Sequence, residues 1–152
     1  MSAKMIDLID TILLLDDEPH CMDWLVEYLE KKKYKVIISR TLDDALDKLR
    51  NHRYAIVFCD LSIPVTDNLL CIIRKSNKCY EQFPGAYAAL EARSKGHDRR
   101  QVIIYSVHES PEIDKIAKML DIQYITKERP AYLKDEVNNI LNYGKRPKNK
   151  RK

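Results

Sequence analysis

Five polar residues stand where short apolar runs end. Asp16 and Asp17 follow TILLL, Asp60 follows YAIVFC, Ser106 follows VIIY and Lys127 follows QYIT. If these runs are strands of one parallel sheet, their ends meet at one edge. Three carboxylates gathered there repel one another unless a cation joins them. Oxygen ligands at a partly solvated edge suit Mg²⁺, which keeps several waters and partners phosphate. A phosphoryl acceptor needs a carboxylate in line with the donor phosphorus, and cations to neutralise the equatorial oxygens. Asp60 would supply the carboxylate, Mg²⁺ and Lys127 the positive charge, and Ser106 a hydroxyl donor. Taken singly, an Asp or Ser after a strand is more often a turn or cap residue. The coincidence at successive strand ends carries the expectation.

The elements that must position these residues alternate along the chain. Thr11 to Leu15, Lys35 to Ser39, Tyr54 to Cys59, Val102 to Tyr105 and Gln123 to Thr126 read as short strands buried on both faces. Between them lie amphipathic stretches: Glu18 to Lys32, then a helix capped by Thr41 with Leu42, Ala45, Leu46 and Leu49 as its apolar stripe. Pro111 to Leu120 is a helix opened by Ser110 and Pro111, and Pro130 to Tyr143 is the last, with Gly144 suited to its C-terminal cap. Strands alternating with helices imply a doubly wound α/β fold with a parallel sheet, its ligands beyond the carboxyl ends of the strands. Residues 64–100 are less regular. Asp67 to Ile73 looks helical, Lys75 to Tyr80 turn-like, Pro84-Gly85 a turn, and Ala86 to Arg93 (AYAALEAR) a strong helix former. The expected organisation is a lead-in over 1–10, one domain over 11–143 with an extra helical insertion at about 77–100 between the third helix and fourth strand, and a basic tail over 144–152.

Composition narrows the function classes. The 152 residues are 45% hydrophobic and 33% charged, enough for one packed domain. No apolar run approaches the ~20 residues of a membrane span, and MSAKMIDLID has no signal-peptide pattern, so a cytoplasmic protein is expected. Cys21, Cys59, Cys71 and Cys79 form no C-x-x-C pair and no zinc-ligand spacing, which fits free thiols. The net charge of +4 resides in the tail: residues 145–152 carry six Lys/Arg and no acid, so the remainder stands at −2. Such a tail can bind polyanions but is more often solvated, and nucleic-acid binding is not expected.

At this point the residues resemble a family, the response-regulator receiver domain of two-component signalling, across roughly Ile12 to Tyr143. TILLLDDEP is similar to its first strand and acidic pair, FCDLSIP to its acceptor strand and loop, IIYSVH to its Ser/Thr strand, and YITK to its fifth strand and lysine. The resemblance implies a flavodoxin-like five-stranded sheet of order 2-1-3-4-5. It implies Asp60 as phosphoacceptor, Asp17 as direct Mg²⁺ ligand with Asp60, Asp16 as a ligand through water, and the backbone carbonyl of Ser62 as the remaining protein ligand. Ser106 resembles the switch hydroxyl, Lys127 the phosphate-binding lysine and Tyr124 the switch aromatic. Departures are Glu128 where the family has Pro, Asn68 where it has a loop Gly, Val107 where it has a small residue, His108 after it, and a long span from Asp60 to Ser106.

The implied function is a Mg²⁺-dependent phosphoacceptor in a histidine-kinase phosphorelay, a switch rather than an enzyme beyond self-phosphorylation from small donors and autodephosphorylation. Its partners would be a histidine kinase or phosphotransfer protein and a downstream protein, with a homodimer also compatible and no membrane partner. With nine residues after Tyr143, no second domain is expected to follow. Two other readings stand beside it: a pseudo-receiver that binds proteins without phosphorylation, and a Mg²⁺-dependent phosphohydrolase or nuclease, which would need a further general acid.

Overall fold

In the computed structural model the expected alternation is present. The structure describes residues 5–106, 110–126 and 130–144, the last stretch with its side chains from 134 to 142. In chain order the elements are β1 (Ile6–Leu15), a 3-10 turn (Pro19–Met22), α1 (Asp23–Lys31), β2 (Lys35–Ser39), α2 (Leu42–Leu49) and β3 (His52–Asp60). There follow α3 (Asp67–Ser76), α4 (Cys79–Gln82), α5 (Pro84–Ser94), β4 (Val102–Ser106), α6 (Pro111–Leu120), β5 (Gln123–Thr126) and α7 (Pro130–Gly144). The strands form one parallel sheet of order β2-β1-β3-β4-β5.

Side chains alternate across each strand, so the sheet has two dry faces. Leu13, Leu15, Val57, Cys59 and Ile104 face one core, built with the apolar stripes of α2, α5 and α6. Ile12, Leu14, Phe58, Ile103 and Tyr105 face the other, built with α1 and α7. The anticipated caps are formed: Thr41 Oγ1 accepts from the Asp44 N–H at 3.1 Å, and Ser110 Oγ from the Ile113 N–H at 3.2 Å.

Two expectations change in detail. The lead-in is not separate, because β1 begins at Ile6 and residues 6–8 pair with His52–Tyr54 before a register shift between Leu8 and Ile12. The acidic, largely exposed IDLID pattern conceals this extension from a search for apolar runs. Between β3 and β4 the helix that packs on the sheet is α5, which lies within the stretch expected to be extra. Pro84, Gly85, Ala86, Ala88, Ala89 and Ala92 are all buried, leaving α5 with almost no polar face. A helix buried all round needs cover on both sides. The sheet supplies one side, while α3 and α4 supply further cover, with Tyr80 of α4 set edge-on to Tyr87 of α5 at 5.2 Å.

The lower end of α5 is tied to β3 by one side chain. The Tyr54 N–H donates to His97 Nε2 at 2.9 Å, and His97 Nδ1 lies 2.8 Å from the Ala92 carbonyl oxygen. A backbone N–H on Nε2 requires that nitrogen to accept, so Nδ1 carries the proton and donates to Ala92. Burial holds the imidazole below its ordinary value; the Ala92 bond opposes this, Arg53 adds to it and Asp7 opposes it. The unfolded chain therefore binds this proton more readily than the folded one. This contribution to stability is present above the unfolded value of 6.5 and is lost as pH falls below it. Denaturant unfolding between about pH 8 and about pH 5 should show stability falling, and His97→Gln should flatten that dependence. His97→Ala, which leaves the buried Tyr54 N–H without an acceptor, should cost about 1–3 kcal/mol.

Candidate functional site

The carboxyl ends of the strands bring the acidic residues together. One carboxylate oxygen from each of Asp16, Asp17 and Asp60 lies within 4.8 Å of the other two. The register explains the meeting: Leu15 pairs with Cys59, so the next residues of β1 and β3 leave the sheet side by side. Asp16 is fully buried, Asp60 nearly so, and Asp17 is half-exposed.

Several donors face this negative charge. The Glu18 N–H donates to Asp16 Oδ1 at 2.9 Å, closing a local turn, and the Ser62 N–H donates to Asp60 Oδ1 at 3.2 Å. The Asp16 N–H is itself held by the Ser39 carbonyl at 2.9 Å, tying the acidic turn to the end of β2. From the interior, the Tyr105 hydroxyl donates to Asp16 Oδ2 at 2.8 Å. Tyr105 is fully buried, and its phenol is pushed well above its ordinary value, first by burial and then by the neighbouring Asp16 carboxylate. The Cys59 thiol is likewise pushed up by burial and is inert core.

Each anticipated residue has a definite place. Asp16, Asp17 and Asp60 converge, and the Ser62 backbone lies against Asp60. Ser106 is buried at the end of β4, one residue beyond Tyr105, the strand partner of Asp60. Tyr124 is half-buried on β5, paired with Ile104, and shares the α5/α6 face with Ser106. Lys127 lies outside the described residues, as do Val107, His108, Glu128 and the 145–152 tail. The described donor set of three carboxylates beside polar backbone suits a hard divalent cation such as Mg²⁺.

Two residues escape sequence reasoning. Tyr105 reads as the last apolar residue of a strand, though a buried tyrosine hydroxyl needs a partner. Gly85 is the other. A Cβ there would lie 1.8 Å from the Asp60 carbonyl oxygen and 2.7 Å from its carbon, while the Gly85 N–H donates to the Leu61 carbonyl at 3.1 Å. Asn68, which stands where the resembled family has a loop Gly, lies in the first turn of α3, and its φ is not positive. The glycine that the Asp60–Leu61 backbone requires is the one at the start of α5.

Residues 12–78 match the sequence pattern of the response regulator receiver domain, a match that ends before α5. The response regulator GtcR of Aneurinibacillus migulanus is 31% identical over 68 residues, covering 45% of this chain and 28% of that protein. The heme response regulator HssR of Staphylococcus saprophyticus is 25% identical over 133 residues, covering 87% of this chain and 55% of that protein. The chain thus spans about half or less of these curated relatives. Among solved structures, a CheY-like receiver domain protein of Methanospirillum hungatei superposes with a TM-score of 0.67 at 19% identity, covering 90% of this chain and 96% of that one. The receiver domain of the sensor histidine kinase PA1611 of Pseudomonas aeruginosa, which holds magnesium in its active-site cleft, gives 0.63 at 19% identity, covering 88% and 98%. Both show the shared fold.

The contact at Gly85 gives a direct test. Gly85→Ala forces the Asp60–Leu61 backbone or the start of α5 to move and should cost about 1–3 kcal/mol. Asn68→Ala, at an exposed helical position, should stay within about 0.5 kcal/mol. Denaturant titration of both variants checks the contrast.

Proposed function

We infer that this chain, a response-regulator receiver domain, is a Mg²⁺-dependent phosphoacceptor that switches a protein-interaction face. The observation that carries the reading is the convergence of Asp16, Asp17 and Asp60 at the carboxyl edge of the sheet, within the matched receiver sequence. It is a signalling domain rather than a conventional enzyme. Among the described residues no helix is long and apolar enough to cross a membrane, and we assign the switch to the cytoplasm.

In the proposed reaction an Asp60 carboxylate oxygen attacks the phosphorus of a phosphohistidine on a histidine kinase or phosphotransfer protein. A small acyl phosphate is an alternative donor. The new O–P bond forms as the bond to the donor breaks, and the donor keeps that bond's electron pair. Bound Mg²⁺ would neutralise charge on the transferring oxygens, held by Asp17, Asp60 and the Ser62 carbonyl, with Asp16 acting through water. Lys127, immediately after β5 in sequence, would hold a phosphoryl oxygen, and Ser106 would donate its hydroxyl to another. The product adds roughly 1.5–2 negative charges beside Asp16 and Asp17. Ser106 turns toward the new charge and Tyr124, on the same face, moves into the space released. The surface of α6, β5 and α7 then changes, and a downstream protein or a second copy of the chain reads it.

Intact-mass measurement after incubation with acetyl phosphate and Mg²⁺ tests this. One phosphoryl adduct is expected on the wild type and none on Asp60→Asn or without Mg²⁺. Absence of any adduct, together with failure to bind Mg²⁺ or beryllofluoride, would remove the phosphoacceptor reading.

A further inference from the structure

We propose that Tyr105 is a positioning residue that sets the Mg²⁺ affinity of the site through Asp16, an inference resting on the phosphoacceptor reading above. Tyr105 is on β4 and Asp16 follows β1, with β3 between them. The two residues nonetheless share a hydrogen bond of 2.8 Å, so the phenol spans the width of β3. Its ring meets Phe58 of β3 edge-on at 6.3 Å, two residues before Asp60 on the same face. Tyr105 and Asp60 are strand partners, so their side chains leave the sheet on the same face.

Asp16 is the member of the acidic set with no solvent exposure. Its orientation is set by the protein: Oδ1 accepts the Glu18 N–H at 2.9 Å and Oδ2 the Tyr105 hydroxyl at 2.8 Å. The first donor is backbone and comes with the turn. The second is a side chain of the core, and its hydroxyl also lies 3.4 Å from the Leu15 carbonyl oxygen. That pair of contacts fixes the phenol and, through it, the plane of the Asp16 carboxylate. An outer-shell partner that fixes a ligand's orientation typically changes metal affinity 10–100-fold when removed. Tyr105 acts in this proposal through its bond to Asp16, so removal of its hydroxyl should alter the Mg²⁺ requirement and spare the rate at saturating Mg²⁺.

Tyr105→Phe keeps the ring, its volume and the contact with Phe58, and removes only the hydroxyl. Calorimetric titration with Mg²⁺ should give a dissociation constant about 10-fold or more above wild type. The Mg²⁺ concentration for half-maximal phosphorylation by acetyl phosphate should rise in parallel, with the saturated rate unchanged. Asp16→Ala, which leaves no side-chain acceptor at position 16 for the Tyr105 hydroxyl, supplies the second arm. If Tyr105 acts through Asp16, adding Tyr105→Phe to Asp16→Ala should change Mg²⁺ affinity no further. Wild-type affinity in Tyr105→Phe, or full additivity in the double variant, would overturn the proposal while leaving the phosphoacceptor reading intact. A wild type that binds no Mg²⁺ would defeat both. Should Tyr105→Phe not fold, Tyr105→Leu and Tyr105→Met, neither of which can donate a hydrogen bond to Asp16, carry the same expectation.

Discussion

Like-charge repulsion at the carboxyl edge of the sheet is the constraint around which this structure is arranged. Carboxylate oxygens of Asp16, Asp17 and Asp60 lie within 4.8 Å of one another, two of them on residues almost wholly withdrawn from water. Burial of ionised groups is costly unless donors or cations face them. The fold answers with backbone N–H groups from Glu18 and Ser62 and with the Tyr105 hydroxyl. Each donor is placed by an element that has another reason to be there: a turn leaving β1, the loop leaving β3, and the apolar interior of β4. The acidic set is thus held in place by the scaffold, with its carboxylate oxygens close enough to share a divalent cation.

The packing beneath Asp60 follows from a second constraint, the closeness of α5 to its backbone. Only a residue without a Cβ fits between them, because an added Cβ would sit 1.8 Å from the Asp60 carbonyl oxygen. The run of buried alanines that follows lets α5 lie deep between the sheet and its outer neighbours. Depth on both sides demands outer cover, and α3 and α4 provide part of it. The residues that lengthen the span between Asp60 and Ser106 are therefore packed material. Thr66 anchors their start by accepting from the Leu69 N–H and by bonding to Asp43 of α2 through its hydroxyl at 2.7 Å and its N–H at 3.1 Å.

Most of this was legible from residue patterns, for reasons specific to each element. The five strands, the caps at Thr41 and Ser110 and the acidic strand ends are local signals: apolar runs, a hydroxyl before a helix, a carboxylate after a strand. The start of β1 was concealed because Ile6–Asp10 are mostly exposed and acidic, and their pairing with β3 is a long-range event. The role of α5 was concealed because alanine-rich sequence reports helix propensity but not depth. Gly85 was concealed because its steric demand is set in space, by the approach of α5 to the Asp60 backbone, and not by spacing along the chain. Tyr105 escaped for a related reason: its partner is 89 positions away and on a strand that is not its neighbour.

Strand β4 links the two halves of the proposed switch. Successive residues of a strand point to opposite faces, so Tyr105 and Ser106 address different sides of the sheet from adjacent positions. Tyr105 reaches through one core to Asp16, and Ser106 faces the other side with Tyr124. A movement of β4 that carries Ser106 toward a phosphoryl group on Asp60 cannot leave Tyr105 fixed, since one peptide unit joins them. The hydrogen bond that orients Asp16 and the Ser106 hydroxyl, which in the proposed switch would sense the phosphoryl group, are in this way coupled through the backbone. Mg²⁺ binding and the switch would then bias the same short strand, giving a physical element through which two sites can influence each other.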